Sequence, residues 1–232
     1  KGAAAGTGGS VAAGTGTAAG YTVHTFTSGG TLAFNPADLT LAGPISGAGA
    51  LSVNATGGSV KLSAANTYSG GTTVSGGTLF GGADSGTRTA FGSGAITVGS
   101  GAVLRTDHST LANALVLAGG TLSGTHASGE SWSGGISLSA DSAVDAGYFM
   151  TLSGNISGTG RLSKVGAGKL TLSGANSYSG GTQINGGTLA LGSVDALGSS
   201  GTIGFDGGTL QFSASNTTDY SARFSTASAQ AW

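Results

Sequence analysis

Two stretches of this chain 111 residues apart nearly coincide: Leu39 to Leu51 reads LTLAGPISGAGAL, and Met150 to Leu162 reads MTLSGNISGTGRL. One indel later, Val60 to Phe80 (VKLSAANTYSGGTTVSGGTLF) returns as Leu170 to Ala190 (LTLSGANSYSGGTQINGGTLA) at an offset of 110. Phe91-Gly-Ser-Gly-Ala-Ile-Thr-Val then returns as Leu197-Gly-Ser-Ser-Gly-Thr-Ile-Gly-Phe with one further indel. A sequence that repeats over ~110 residues has to fold into something that repeats.

A shorter period runs inside each unit. Lys169-Leu-Thr-Leu-Ser, Gly187-Thr-Leu-Ala-Leu-Gly and Gly208-Thr-Leu-Gln-Phe place apolar residues at i and i+2, as in a strand with one face buried. Each piece is short and bounded by Gly-Gly, Ser-Gly, Asn-Gly or Asp-Gly, which are turn signals. No stretch holds a 3.6-residue period long enough for a helix. Lys1 to Gly20 is low-complexity Gly, Ala and Thr, expected to be a frayed edge, a linker or a poor first coil.

Composition narrows the choice further. Only 7% of residues are charged, against ~25% in ordinary domains, and the net charge is −1. Eight Lys and Arg along 232 residues cannot make a basic stripe, which argues against nucleic acid as a partner. There is no cysteine, so disulfides, thiolate metal sites and thiol catalysis are excluded. The longest apolar run, Leu111 to Ala118, is too short to cross a bilayer as a helix. Lys1-Gly-Ala lacks a Leu-rich export signal, so a secreted chain with this start is expected to be a mature segment. Disorder needs high net charge as well as few large apolar residues, and the charge is nearly nil.

Short strands at this spacing suit a barrel, a sandwich or a solenoid. Only a solenoid explains apolar residues recurring evenly every 20–25 residues. The expected fold is therefore all-β, a right-handed parallel β-helix of roughly ten coils of ~22 residues. Successive coils stack at ~4.8 Å, with glycines at the corners. The expected division is a low-complexity segment or first coil over 1–28, one repeat unit over 29–139, and a truncated second unit over 140–232.

Gly166 to Gly192, GAGKLTLSGANSYSGGTQINGGTLALG, closely resembles the autotransporter-associated β-strand repeat, also called the passenger-associated transport repeat. The matching positions are Gly166, Gly168, Leu170, Leu172, Gly174, Asn176, Tyr178, Gly180, Gly181, Thr182, Ile184, Gly187, Thr188 and Leu189. The earlier copy keeps Leu62, Asn66, Tyr68, Gly70, Gly71, Thr72, Val74, Gly77, Thr78 and Leu79. It departs where Gly-Ala-Gly-Lys becomes Thr-Gly-Gly-Ser and where Ala64 replaces a glycine. The closing run from Asp219 to Trp232 looks like the lead into a further unit. The resemblance implies a Gram-negative autotransporter passenger, secreted or held at the cell surface in association with the outer membrane. It also implies a role for the repeat in translocation and extracellular folding. Its implied partners are the protein's own C-terminal outer-membrane barrel and, through an adhesive surface, a host surface or another copy of itself.

Tyr68 and Tyr178 are expected at corners, packing over a turn, and Asn66 and Asn176 are expected to bond nearby backbone. No catalytic residue is expected. Asp107-His108-Ser109 holds triad residue types, but neighbours on a strand point to opposite faces. His24 and His126 are the remaining histidines, and neither lies in a recognised nucleophile or metal motif. Asp141 and Asp145 are four residues apart, about 13–14 Å along a strand and too far for a retaining glycosidase pair. Glu130 and Trp132 share a face and could form a sugar-stacking site or simply a solvated loop. Asp195 and Asp206 read as turn residues. No cofactor and no metal is expected.

The reading that follows is a non-enzymatic, adhesive or self-associating stalk. Its alternative is the scaffold segment of a secreted toxin or enzyme whose active part lies elsewhere. Ice binding is disfavoured because Thr15-Gly-Thr17 and Thr25-Phe-Thr27 do not recur once per coil.

Overall fold

The computed structural model describes residues 38–82, 90–107 and 110–226, and before them the backbone of strands Ala5–Thr7, Ser10–Ala13, Thr22–Thr25 and Thr31–Phe34. It is an all-β parallel solenoid of about eight turns, slightly fewer than the expected ten. Among the described residues there is no α-helix, only a 3-10 turn at Ser221–Arg223.

Three strand columns build the rod, the second running through both repeat units and the other two overlapping in its middle. The first face stacks 51–53, 72–74, Ile96–Gly99, Leu115–Ala118, Ile136–Ala140 and Ile156–Gly158. The second stacks 59–62, 78–81, Val103–Thr106, Thr121–Gly124, Ser142–Ala146, Leu162–Val165, Thr182–Ile184 and Ile203–Phe205. The third stacks Thr110–Leu111, Glu130–Trp132, Phe149–Leu152, Lys169–Leu172, Thr188–Leu191 and Thr209–Gln211. All these pairs are parallel, so each residue meets its counterpart one coil away. At the N-terminal end, Ser10–Ala13 pairs antiparallel with Thr22–Thr25 and Ala5–Thr7 antiparallel with Thr31–Phe34, which itself stacks parallel on 50–53.

Alternation fills the interior. On the second face one inward column runs Val60, Leu79, Leu104, Leu122, Val144, Lys164, Ile184 and Phe205. On the third face Leu111, Trp132, Leu152, Leu172 and Leu191 form another. Most residues between them are partly exposed, Thr78, Thr121 and Ser163 among them, while Ser123 and Ala190 are buried.

The long repeat does not close on whole turns. Five turns up the second face carry Leu79 to Ile184. The sequence equivalent of Leu79, however, is Leu189, on the third face. Likewise 72–74 lies on the first face and its equivalent, Thr182–Ile184, on the second. Each long unit therefore advances five turns and about one third more, and the second copy is rotated by one face around the rod.

Candidate functional site: the repeat corners and two buried charges

The residues that recur in both copies converge on one corner geometry. In the first, Asn66 Oδ1 accepts the Ile45 amide at 2.7 Å, and its Nδ2 donates to the Ala90 carbonyl at 2.5 Å. Ile45 belongs to the coil before and Ala90 to the coil after, so one amide side chain ties three successive coils. In the second, Asn176 Oδ1 accepts from the Ile156 amide at 2.8 Å and Nδ2 donates to the Ala196 carbonyl at 2.7 Å. Both asparagines are buried.

Two residues on, the tyrosine ring turns into the core. Tyr68 and Tyr178 are fully buried, and their hydroxyls lie 2.6 and 2.7 Å from Thr72 and Thr182 Oγ1. Burial pushes both phenols well above the ordinary tyrosine range, and the threonine bonds pull back only part of that. The rings are therefore packing elements and not open to a ligand. Glycines Gly92 (φ 67°) and Gly198 (φ 62°) of the next coil cover them, where any Cβ would run into the tyrosine ring and carbonyl. A related corner recurs at Asn216 and Tyr220, outside the sequence motif. There Asn216 Nδ2 reaches the Ser193 and Val194 carbonyls at 2.6 and 3.1 Å, and Tyr220 donates to the Val194 carbonyl at 3.0 Å. Asn216 Oδ1 is buried with no partner among the described residues. Arg223, just beyond, donates to the carbonyls of Leu197, Gly198, Ser200 and Gly201.

Among the described residues, two charged side chains lie inside the rod. Lys164 occupies the inward column between Val144 and Ile184, fully buried. Its Nζ donates to the carbonyls of Val165 and Gly166 at 2.7 Å each and of Gly186 at 3.2 Å. Desolvation holds its pKa below the ordinary lysine value, against a smaller opposing pull from Asp145. Glu130 heads the inward column that continues as Met150, Leu170 and Leu189. Its Oε1 accepts from the Thr125 and His126 amides at 2.9 and 3.0 Å, and its Oε2 accepts from Thr106 Oγ1 at 2.6 Å. Desolvation nevertheless raises its pKa.

The Glu130–Trp132 expectation is corrected here. The two do share a face, but it is the inner one. Trp132 is buried with its Nε1 donating to the Asn113 carbonyl at 2.9 Å, and neither a sugar site nor a solvated loop exists there. Alternation held the signal: Glu130 has the parity of Trp132, and Lys164 that of Leu162. Neither reading of the Glu130–Trp132 pair allowed for a carboxylate on the inner face.

The other titratable candidates stay apart. Asp141 is exposed and pairs with Arg161 at 3.2 Å, while Asp145 accepts from Ser123 Oγ at 3.1 Å. Asp195 and Asp206 are exposed in turns. His126 Nδ1 accepts the Ser128 amide at 3.2 Å. His108, Ser109, Thr15-Gly-Thr17 and the side chains of His24 and Thr25 lie outside the described residues, as do Phe26 and Thr27. No group of three or more His, Cys, Asp or Glu among the described residues could hold a metal ion.

Comparison with protein families finds the passenger-associated-transport-repeat over residues 57–79 and 162–191, the segments that carry the two Asn–Tyr corners or lead into them. Neither the curated proteins nor the solved structures give a match to the chain. Two passenger-associated-transport-repeats on a parallel β-solenoid fit an autotransporter passenger domain.

Proposed function

We propose that this chain is the stalk of an autotransporter passenger, exported across the outer membrane of a Gram-negative bacterium and folded outside the cell. Its repeats assist that folding, and its outer faces present an adhesive or self-associating surface. The observation that carries this reading is the asparagine corner. A single side chain there joins the coils before and after it, so each repeat locks newly stacked coils onto those already formed. In a solenoid every coil contacts only its neighbours, and such local locks let the stack grow coil by coil.

The one-face rotation between copies supports the same role. A repeated ligand site would gain from facing one direction, whereas a lock works at any azimuth. The corners are also buried, so nothing outside can read them. The passenger's own outer-membrane barrel is the partner this role requires.

The test uses the whole gene expressed in a Gram-negative host. Asn66→Ala combined with Asn176→Ala is expected to lower the amount of protease-resistant passenger at the cell surface. Asn185→Ala, an exposed change, is the control. Undiminished export and protease resistance with both corners broken would reject the folding role. Clumping of cells displaying the passenger tests self-association separately.

A further inference from the structure

The third face carries an outward feature that the repeat motif does not explain. Tyr148 and Phe149, consecutive at the corner leading into it, are 52% and 61% exposed in a protein whose other tyrosines and tryptophan, among the described residues, are buried. The coil below contributes Gly129 beside Phe149, and a Cβ there would only just reach the Phe149 Cβ. The coil above contributes Gly168 beside the Tyr148 backbone. Neither glycine has a side chain to cover the rings, so both are left bare to solvent.

The outward columns that follow are polar. Phe149 is succeeded by Lys169, Thr188 and Thr209. Beside it run Ser131, Thr151, Thr171 and Gln211, broken by the buried Ala190. No carboxylate stands in either column; Glu130 points inward, and the described ion pair, Arg161–Asp141, lies elsewhere. Among the described residues of these two columns, the one charge is the Lys169 ammonium.

A bare aromatic pair, one cation and a ladder of hydroxyls make a poor protein interface. A stable one needs ~800 Å² per partner with an apolar centre, and two rings amid Ser and Thr do not supply it. The same set suits a sugar chain. The C–H face of a pyranose packs on an aromatic face, threonine hydroxyls exchange hydrogen bonds with sugar hydroxyls, and the ammonium meets an acidic substituent. Strand columns spaced ~4.8 Å apart along the rod also offer a linear polymer a regular row of contacts.

We propose that the third face binds a linear, carboxylated polysaccharide, with sugar rings on Tyr148 and Phe149 and a carboxylate at Lys169. This rests on the adhesive reading above and gives it a ligand class.

Affinity electrophoresis of the chain through gels containing hyaluronan, dextran or heparin tests the site. Hyaluronan is expected to retard the protein and neutral dextran to do so at least ten times more weakly. Tyr148→Ser with Phe149→Ser should abolish retardation, and Lys169→Gln should weaken it several-fold. Phe80→Ser, which removes an outward aromatic of the second face, should leave it unchanged, and circular dichroism checks that every variant is folded. No retardation by hyaluronan, equal retardation of the double variant, or retardation by heparin alone would overturn the proposal. If hyaluronan fails while cells displaying the passenger still clump, this site falls and the adhesive reading stands. If clumping is also absent, both fall.

Discussion

The Tyr178 hydroxyl lies 2.7 Å from Thr182 Oγ1, and both residues are closed off from solvent. Removing either partner alone leaves a buried hydroxyl unsatisfied, at a cost of about 1–3 kcal/mol. Tyr178→Phe and Thr182→Val are each expected to destabilise the rod by that amount. The double variant should lose clearly less than the sum, because no orphaned group remains. Equilibrium denaturation of the four proteins closes the cycle. Strict additivity would mean that the hydroxyls are not coupled.

Asn176 presents a harsher case, since its two bonds reach different coils. In Asn176→Ala the Ile156 amide and the Ala196 carbonyl both lose their partner. A loss of about 2–5 kcal/mol is expected. Hydrogen exchange should show the Ile156 amide opening faster while amides two or more coils away change little, as nearest-neighbour stacking requires. Uniform acceleration along the rod would contradict the local-lock description.

Leu172 and Leu189 sit fully buried in adjacent inward columns of the third face. Leu172→Ala and Leu189→Ala should each cost about 2–5 kcal/mol through the cavity they open. Chemical denaturation checks this, and an unmoved midpoint for both would refute the packing.

Glu130 makes stability depend on pH in a direction opposite to most carboxylates. Burial raises its folded pKa above the ordinary 4.5, and the bonds from Thr106, His126 and Thr125 offset only part of the shift. The folded state then holds its proton to higher pH than the unfolded chain does. The associated stability is present below about pH 4.5 and is lost as pH rises through the raised folded value. Glu130→Gln should remove that loss, so the stability difference between variant and wild type should change across this window and level off above it. A constant difference from pH 4 to 8 would show that the carboxyl is not shifted.

The sequence carried the architecture because a solenoid is written locally. Two-residue alternation between glycine turns gives the strands, and recurrence every 20–25 residues gives the stacking. The rotation of the second copy was hidden, because an offset of 110 residues does not reveal the length of a turn. Asn66 and Asn176 were legible as backbone-bonding residues, but not as ties between different coils, since their partners lie 20–24 residues away. The charge of Glu130 favoured a sugar site or a solvated loop, and only strand parity marks Lys164 as an inward residue. A long ammonium chain can start in the core and reach corner carbonyls, and a carboxylate can be satisfied by amides of its own turn. Tyr148 and Phe149 sat unnoticed, because exposure at a corner depends on which neighbouring residues are glycine.

Glycine corners allow the backbone cost to be separated from the packing cost. Gly57 and Gly198 both have positive φ, at 80° and 62°. A Cβ on Gly57 would meet nothing within 4 Å, whereas one on Gly198 would strike the Tyr178 carbonyl and lie 3.1 Å from two carbons of its ring. Gly57→Ala therefore reports the left-handed strain alone, about 1–3 kcal/mol. Gly198→Ala adds a clash with a ring that cannot retreat, because Tyr178 is held by Thr182 and enclosed on every side. Its cost should exceed that of Gly57→Ala, and pairing it with Tyr178→Leu, which takes away the ring but not the carbonyl, should recover part of the excess. Thermal or chemical denaturation of the three variants decides the point. Equal costs for Gly57→Ala and Gly198→Ala would mean that glycine serves these corners by its backbone freedom and not by making room for the tyrosine.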